Sequence, residues 1–168
     1  MCGIVGYVGR SQAAPIILDG LSRLEYRGYD SAGMAIYDGE KINITKSVGR
    51  LKVLSELTHD GQTMPGQLGI GHTRWATHGA PSNLNAHPHV NEKETIAVVH
   101  NGIIENYQQL KKKLEGRGYH FLSETDTEVL AHMLDYYYKG DPIEAITKVL
   151  HRVEGSYALG ILFSDYPE

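Results

Sequence analysis

The chain has 168 residues, a formal net charge of −4, a single cysteine and 19 glycines. This length fits one domain with a sizeable buried core, and one cysteine excludes an internal disulfide framework and is typical of a reducing, cytoplasmic compartment. The acidic balance without a basic stripe argues against nucleic acid as a partner, and no apolar run reaches the roughly 18–20 residues of a membrane-spanning helix.

The first half of the chain alternates strand and helix patterns. A glycine-punctuated apolar run predicts a first strand, and Ser11 precedes a segment with apolar residues at helical spacing, which predicts a helix capped by Ser11. Asp38-Gly39 lies between two strand-like runs and is typical of a β-hairpin turn. The predicted elements are a strand over 3–9, a helix over 12–25, hairpin strands over 32–37 and 41–46, a helix over 50–58 and a strand over Leu68–Arg74.

The second half follows a stretch without regular pattern at 75–94. Thr125 and Glu128 match a capping box, and Asp141 followed by Pro142 is a second helix start. The predicted elements are a strand over 95–100, helices over Tyr107–Glu115 and 125–138, a short strand over 119–122, a helix beginning at Asp141 and a closing strand over Gly155–Phe163. The pattern predicts an α+β protein, and two packed sheets flanked by helices would accommodate it.

Cys2 stands directly after Met1, where cytosolic processing is expected to remove the methionine. The residue would then carry a thiol with a pKa of about 8.5 beside a free α-amine of about 7.7–8.0, so the amine can accept the thiol proton. N-terminal threonine hydrolases use the same pairing of nucleophile and terminal amine. A small buried hydrophobe in the first strand is the ordinary alternative, and position alone leaves both open.

The long loop carries side chains that make directed contacts, which argues for a functional rather than a disordered segment. Arg74, at its start, can grip a carboxylate bidentately or form a structural ion pair. The histidines in and near the loop can be interpreted as a metal cluster, but no recognised zinc-ligand spacing is present. Histidines hydrogen-bonded to the loop backbone are the simpler interpretation, and a catalytic pair of Cys2 with a histidine also stays open.

Asn101-Gly102 follows an apolar run that is typical of a buried strand. An ordinary turn is one interpretation, but no second strand begins two residues later. The asparagine amide and the glycine N–H are donors that can stabilise an oxyanion, and losing one such donor typically costs about 10²–10³ in rate. Asp126, in the first turn of a predicted helix, is favoured there by the helix dipole and can equally receive a substrate ammonium.

Together these segments form a recognisable pattern. It comprises residues 1–6, 26–33, 72–78 with 85–89, 100–106 and 123–128, in that order. The pattern resembles the glutaminase domains of class II glutamine amidotransferases, the N-terminal nucleophile type, and among them the enzymes that aminate fructose 6-phosphate. The resemblance covers essentially the whole chain. It implies a four-layer α/β/β/α sandwich of two mainly antiparallel sheets, with residues 1–168 forming a single glutamine amidotransferase domain.

The resemblance also implies a reaction, namely hydrolysis of the glutamine side-chain amide through a thioester on Cys2, without a cofactor or a metal. The freed amine of Cys2 would act as the base. The implied roles are an oxyanion hole from Asn101 and Gly102, an α-carboxylate grip by Arg74, an α-ammonium site at Asp126, pocket walls from Trp75, Thr77 and His78, and supporting roles for Arg27 and His87.

In the longer enzymes that the chain resembles, sugar-binding domains absent here pass the ammonia to fructose 6-phosphate and form glucosamine 6-phosphate. The full-length enzyme is expected to be a homo-oligomer. Two alternatives stay open. One is the same domain from another class II enzyme, such as an amidophosphoribosyltransferase or an asparagine synthetase, and the other is a catalytically silent glutamine-binding module.

Overall fold

The structure is a computed structural model that describes residues 2–27 and 29–167. Within these residues the strands are β1 (Gly3–Val8), β2 (Ser31–Tyr37), β3 (Ile42–Val48), β4 (Leu68–Arg74), β5 (His89–Val90), β6 (Ile96–Ile104) and β7 (Gly155–Phe163). The helices are α1 (Ala13–Arg23), α2 (Leu51–Leu57), α3 (Tyr107–Glu115), α4 (Glu128–Tyr137) and α5 (Pro142–Leu150). None of these helices has the length and apolarity to cross a membrane.

The described strands pair antiparallel in two sheets, with the orders β1-β4-β2-β3 and β5-β6-β7. In the first sheet, β4 lies between β1 and β2, with Thr73 opposite Gly3 and Arg74 opposite Ser31. Because β1 and β4 run in opposite directions, the start of one meets the end of the other. This register places Cys2 beside the loop that follows Arg74.

Side chains alternate across the central strands, and both faces of these strands are buried. In β2, Met34 and Ile36 pack with α1 and α2, whereas Ala35 packs toward the second sheet. In β6, Val98 packs with α3, α4 and α5, whereas Val99 lies between the sheets. Helices therefore cover the outer face of each sheet, and the predicted four-layer sandwich is confirmed.

Several local predictions are confirmed at the residue level. The strand Leu68–Arg74, the helix Tyr107–Glu115 and the strand Gly155–Phe163 have the predicted bounds. The Asp38-Gly39 turn joins β2 and β3. Asp141 caps α5, since its carboxylate accepts from two N–H groups of the first helical turn at 2.9 and 3.1 Å.

The predicted cap of the first helix is wrong. The N–H of Ser11 donates to the phenol oxygen of Tyr7 at 3.2 Å, and α1 begins after Gln12 without a side-chain cap. The side-chain oxygen of Gln12 accepts from the N–H of Gly66 at 2.9 Å instead. Both residues therefore hold neighbouring segments in place, and tertiary contacts take the place of the local cap.

The capping box at Thr125 and the strand over 119–122 are also wrong, for a shared reason. Helix α4 begins only at Glu128, and the buried carboxylate of this residue accepts from the N–H groups of Leu122 and Ser123 at 2.9 and 2.7 Å. The carboxylate satisfies backbone donors that a strand would have paired with a neighbouring strand. The segment therefore runs as irregular chain into α4.

Two further segments differ from the prediction by more than two residues, whereas the bounds of β1, α1, β3 and α2 differ by one or two. The loop expected over 75–94 is shorter, because His89 pairs with Val98 to form β5. Strand β6 does not end at residue 100 but continues through Asn101 and Gly102 to Ile104. The reason is that β7 supplies pairing partners along this whole length, so an Asn-Gly pair that is typical of a turn stays in the ladder.

Candidate active site

A cavity of about 640 Å³ opens where the start of β1, the end of β4 and the middle of β6 meet. This size is typical of small-molecule sites. The described residues that line it are Cys2, Arg74, Trp75, Thr77, His87, His100, Asn101, Gly102, Ile103, Thr125, Asp126, Thr127 and Ser156. Strands from both sheets and the segments that follow them contribute, so the cavity exists only when the two sheets are packed together.

Cys2 places the only thiol of the chain at the cavity wall. The N–H of Trp75 donates to the sulfur at 3.1 Å, and the sulfur lies 3.5 Å from the carbonyl oxygen of the same residue. Within the described residues no histidine hydrogen-bonds to the sulfur, so the Cys2–His pair left open by the sequence is not formed. Met1 lies outside the described residues.

Asn101 and Gly102 present their groups to the cavity from within strand β6. The amide nitrogen of Asn101 donates to the carbonyl oxygen of Cys2 at 3.1 Å. Gly102 has a φ of +130°, and a Cβ at this position would overlap the carbonyl oxygen of Ser156 in β7. The position therefore requires glycine, and the pairing with β7 fixes where its N–H lies.

Arg74 ends β4 and is only 3% exposed. Its Nη2 donates to the carbonyl oxygens of His78 and, at 3.1 Å, Gly79. Its Nη1 lies 3.7 Å from a carboxylate oxygen of Asp30 and, among the described residues, has no hydrogen-bond partner although it is buried. A buried guanidinium at a cavity wall with unused donors is suited to a carboxylate ligand.

Asp126 supplies the opposite charge in the same cavity and is 4% exposed. One carboxylate oxygen accepts from the N–H of Ile104 at 2.8 Å, and the other lies 3.9 Å from Nδ1 of His78. His78 thus contacts Asp126 through its ring and Arg74 through its carbonyl. A cavity with one buried cation and one buried anion matches a ligand that carries both charges, such as an amino acid.

The buried histidines contact one another and nearby hydroxyl and backbone groups. Burial lowers the pKa of His72 to about 4 and also lowers those of His87, His89 and His100, so the rings are neutral at neutral pH. Nδ1 of His100, for example, lies 2.9 Å from the hydroxyl of Thr127. In the described part of the chain, no group of three or more His, Cys, Asp or Glu residues is placed to hold a metal ion.

The structure brings most of the predicted site residues to this one cavity. Those that line it are Cys2, Arg74, Trp75, Thr77, His87, Asn101, Gly102 and Asp126. His78 contacts Arg74, Thr77 and Asp126 without being part of the lining, and the side chain of Arg27 lies outside the described part of the structure.

Sequence reasoning missed five residues of the lining. They are His100, Ile103, Thr125, Thr127 and Ser156. Four of these are direct sequence neighbours of the predicted Asn101, Gly102 or Asp126, and that adjacency is the signal that could have found them. Ser156 reaches the cavity only because β7 pairs with β6, and no local sequence pattern indicates it.

Two curated proteins similar to this chain carry the same enzyme name. The chain is 64% identical over 168 residues to the glutamine–fructose-6-phosphate aminotransferase (isomerizing) of Caldanaerobacter subterraneus. The alignment covers 100% of this chain and 28% of that protein. It is 56% identical over 169 aligned residues to the enzyme of the same name from Thermus thermophilus, again with 28% of that protein covered. The chain therefore spans less than a third of the length of these relatives.

Solved structures show the same fold. Glutamine phosphoribosylpyrophosphate amidotransferase from B. subtilis matches with a TM-score of 0.83 and 30% identity, covering 98% of this chain and 35% of that one. A glutamine aminotransferase class-II domain protein from Silicibacter pomeroyi matches with a TM-score of 0.58 and 18% identity over 80% of this chain and 65% of that one, a likeness of fold alone. Residues 72–167 match the family model described as a glutamine amidotransferase domain. The chain belongs to the glutamine amidotransferase domain family.

Proposed function

We propose that this domain hydrolyses the side-chain amide of L-glutamine to glutamate and ammonia through a thioester on Cys2. One observation carries the proposal: a thiol, a pair of oxyanion donors, a buried arginine and a buried aspartate, distant in the sequence, line a single cavity. Glutamine presents one amide, one α-carboxylate and one α-ammonium, and each has a chemical counterpart among these groups.

Arg74 and Asp126 hold the amino-acid end of the substrate in this proposal. Nη1 of Arg74, which has no hydrogen-bond partner among the described residues, takes the α-carboxylate, and Asp126 takes the α-ammonium. Trp75 and Thr77 form the wall beside them, with His78 behind Asp126 and with His87 and Arg27 in supporting roles. A site built on charge-assisted contacts should reject analogues that lack the α-amine or the α-carboxylate much more strongly than analogues of slightly altered shape.

The chemistry then takes place at the amide. The sulfur of Cys2 attacks the amide carbon while its proton passes to the α-amine of the same residue, and the negative oxygen receives donors from Asn101 and Gly102. The ammonium formed returns a proton to the leaving nitrogen, which departs as ammonia and leaves the thioester. Water, deprotonated by the same amine, attacks the thioester and releases glutamate and the thiol. No metal or cofactor takes part.

The amine can act in this way only when Met1 has been removed, because otherwise the terminal amine belongs to another residue. We therefore expect turnover from the chain that begins at Cys2 and none from the chain that retains Met1. Intact-mass analysis of each sample gives the fraction of chains without Met1, and a glutaminase assay of the same sample gives its turnover. Undiminished ammonia release from a chain whose N-terminus is acetylated or extended would overturn the proposed base.

Variants of Cys2 test the nucleophile. Cys2→Ala should abolish ammonia release while the circular dichroism spectrum and the melting temperature stay close to those of the wild type. A glutamine-like electrophile, such as a diazoketone analogue, should label the wild-type chain at Cys2 with a stoichiometry of about one. Absence of both labelling and turnover would favour a silent glutamine-binding module, which isothermal titration with glutamine would then detect.

For the longer protein we propose glutamine–fructose-6-phosphate aminotransferase activity, with the ammonia used to make glucosamine 6-phosphate. The 64% whole-chain identity to an enzyme of that name supports this assignment over glutamine phosphoribosylpyrophosphate amidotransferase, whose solved structure from B. subtilis shares 30% identity with the chain. We also propose that residues 1–168 act as one domain, and that the longer enzyme is a cytoplasmic homo-oligomer. An assay of the full-length protein with fructose 6-phosphate and with phosphoribosyl pyrophosphate separates the two acceptors.

A further inference from the structure

His72 is fully buried in strand β4 and has no part in the mechanism above. Its Nε2 lies 3.1 Å from the backbone carbonyl oxygen of His100 and 2.8 Å from the side-chain oxygen of Asn101. A carbonyl oxygen only accepts hydrogen bonds, so Nε2 must carry the ring proton. The tautomer of His72 is therefore fixed by a backbone carbonyl oxygen, which can accept but not donate a hydrogen bond.

The fixed tautomer of His72 in turn fixes the orientation of the side-chain amide of Asn101. With a donor at Nε2, the neighbouring amide atom must be the oxygen, because the amide nitrogen would oppose donor to donor. On the opposite side, the amide nitrogen lies 3.1 Å from the carbonyl oxygen of Cys2, which again only accepts. Two independent contacts therefore give the same amide orientation, with the NH₂ group directed toward Cys2.

The surroundings of His72 keep it neutral. Burial lowers its pKa to about 4, and Nδ1 is buried without a hydrogen-bond partner among the described residues. The ring stacks on that of His87, with centroids 4.1 Å apart and planes 14° from parallel. A second proton would have no acceptor at Nδ1, so the ring serves as a single, uncharged donor to Asn101.

We propose that His72 is a positioning residue that holds the amide of Asn101 with its nitrogen toward the oxyanion. The role rests on the proposed function, since it acts through Asn101. A donor that is already oriented contributes to the transition state without reorganisation, so losing the orientation should lower kcat and leave the KM for glutamine nearly unchanged.

Two substitutions at this position separate orientation from packing. Glutamine has its amide nitrogen as many bonds from Cβ as Nε2 of histidine, so His72→Gln can restore the donor, whereas His72→Met fills the space without one. We expect His72→Met to lower kcat about 10–100-fold with KM changed less than about threefold, and His72→Gln to retain kcat within about fivefold. His151→Met, at an exposed histidine, is the control and should leave both constants unchanged.

A double-mutant cycle with Asn101→Ala tests whether His72 acts through the asparagine. In the Asn101→Ala background, His72→Met should cause little further loss, because the group that it orients is gone. The proposal is overturned if His72→Met lowers kcat by the same factor in the wild-type and the Asn101→Ala backgrounds. It is also overturned if the kcat of His72→Gln is as low as that of His72→Met, or if His72→Met raises KM instead of lowering kcat.

The experiments distinguish a failure of the positioning role of His72 from a failure of the proposed glutaminase function. A wild-type chain without glutaminase activity refutes the proposed function, and an Asn101→Ala variant with full activity refutes the oxyanion role. Nitrogen-15 NMR of the histidine ring in the wild-type chain needs no variant to fold. It should show the Nε2–H tautomer of His72 with a slowly exchanging proton, and an Nδ1–H tautomer would overturn the proposal.

Discussion

At the scale of single residues, Arg74 combines properties that are costly to bring together. Its guanidinium is buried, one nitrogen is held by two loop carbonyl groups, and the other has no hydrogen-bond partner among the described residues. A buried donor without a partner costs about 1–3 kcal/mol, and a bound carboxylate would remove that cost. In the proposed role, the fold holds Arg74 ready for the α-carboxylate at some expense to its own stability.

Arg74→Lys should lower kcat/KM for glutamine about 10–100-fold, mainly through a higher KM, because lysine cannot reproduce the planar fork of donors. Steady-state kinetics with varied glutamine measures the change. Arg23→Lys is the matched control, since Arg23 forms an exposed pair with Asp19 and should leave both constants unchanged. An unchanged KM in Arg74→Lys would contradict the assignment of the α-carboxylate to this residue.

At the scale of the elements, β6 shows how a strand can place the two proposed oxyanion donors. Asn101 and Gly102 stay in register with β7, and the positive φ of Gly102 occurs inside the ladder. Neighbouring backbone leaves no room for a side chain at this glycine. The strand, rather than a flexible turn, therefore sets the direction of the two donors.

Gly102→Ala should abolish glutaminase activity and destabilise the fold by more than about 2 kcal/mol, because the added methyl must displace the backbone of β7. Gly118→Ala is the matched control: this glycine also has a positive φ, +92°, but the space around it is open. It should cost only about 1 kcal/mol and leave activity unchanged. Urea unfolding and the ammonia assay measure both variants, and equal costs would contradict the steric argument.

Helix α4 begins with a carboxylate that holds the segment in front of it. Burial alone would raise the pKa of Glu128, but hydrogen bonds from His132, from Ser123 and from two backbone N–H groups outweigh burial and lower it from 4.5 to about 2. Because the segment that Glu128 holds leads into Asp126, this network also supports one wall of the cavity. The first turn of α4 therefore helps to hold Asp126, the proposed α-ammonium site, in place.

Glu128→Gln should destabilise the chain by about 1–3 kcal/mol at pH 7, since the charged acceptor is lost. The folded-state pKa is depressed, so the contribution of the carboxylate is complete above pH 4.5 and is lost as the pH falls through about 2. The difference in unfolding free energy between wild type and variant should therefore shrink over this range. Denaturation curves from pH 7 to pH 2.5 measure it, and a difference that does not change with pH would contradict the argument.

At the scale of the whole molecule, the layer between the two sheets determines whether the cavity exists. Ala35, Ile70, Ala97, Val99 and Leu162 pack there with contributions from both sheets. The cavity wall likewise comes from both sheets, so the site and the central layer depend on the same packing. Separation of the sheets would therefore remove stability and activity together.

Leu162→Ala should destabilise the chain by about 2–5 kcal/mol, because it leaves a cavity in the central layer. Leu122→Ala, at a leucine that is 76% exposed, should change stability by less than about 0.5 kcal/mol. We expect one cooperative transition in both variants by far-ultraviolet and near-ultraviolet circular dichroism. Two separated transitions would contradict the prediction that residues 1–168 form a single domain.

The sequence alone determined the elements whose signals are local. The Asp38-Gly39 hairpin, the Asp141 cap of α5 and the apolar strand Leu68–Arg74 follow from turn chemistry, capping and hydrophobicity within a few residues. It also determined the family, because long motifs in a fixed order specify more than any single residue does. Most of the candidate site residues came from those motifs.

Only the tertiary structure decided the features whose partners are distant in the chain. β6 continues past residue 100 because β7 pairs with it, the segment 119–124 is irregular because Glu128 takes its N–H groups, and Ser156 reaches the cavity by strand pairing. The orientation of Asn101 likewise depends on His72, 29 positions away. The physical reason is that a backbone or side-chain donor takes whichever acceptor the packed fold brings to it, and local sequence does not contain that acceptor.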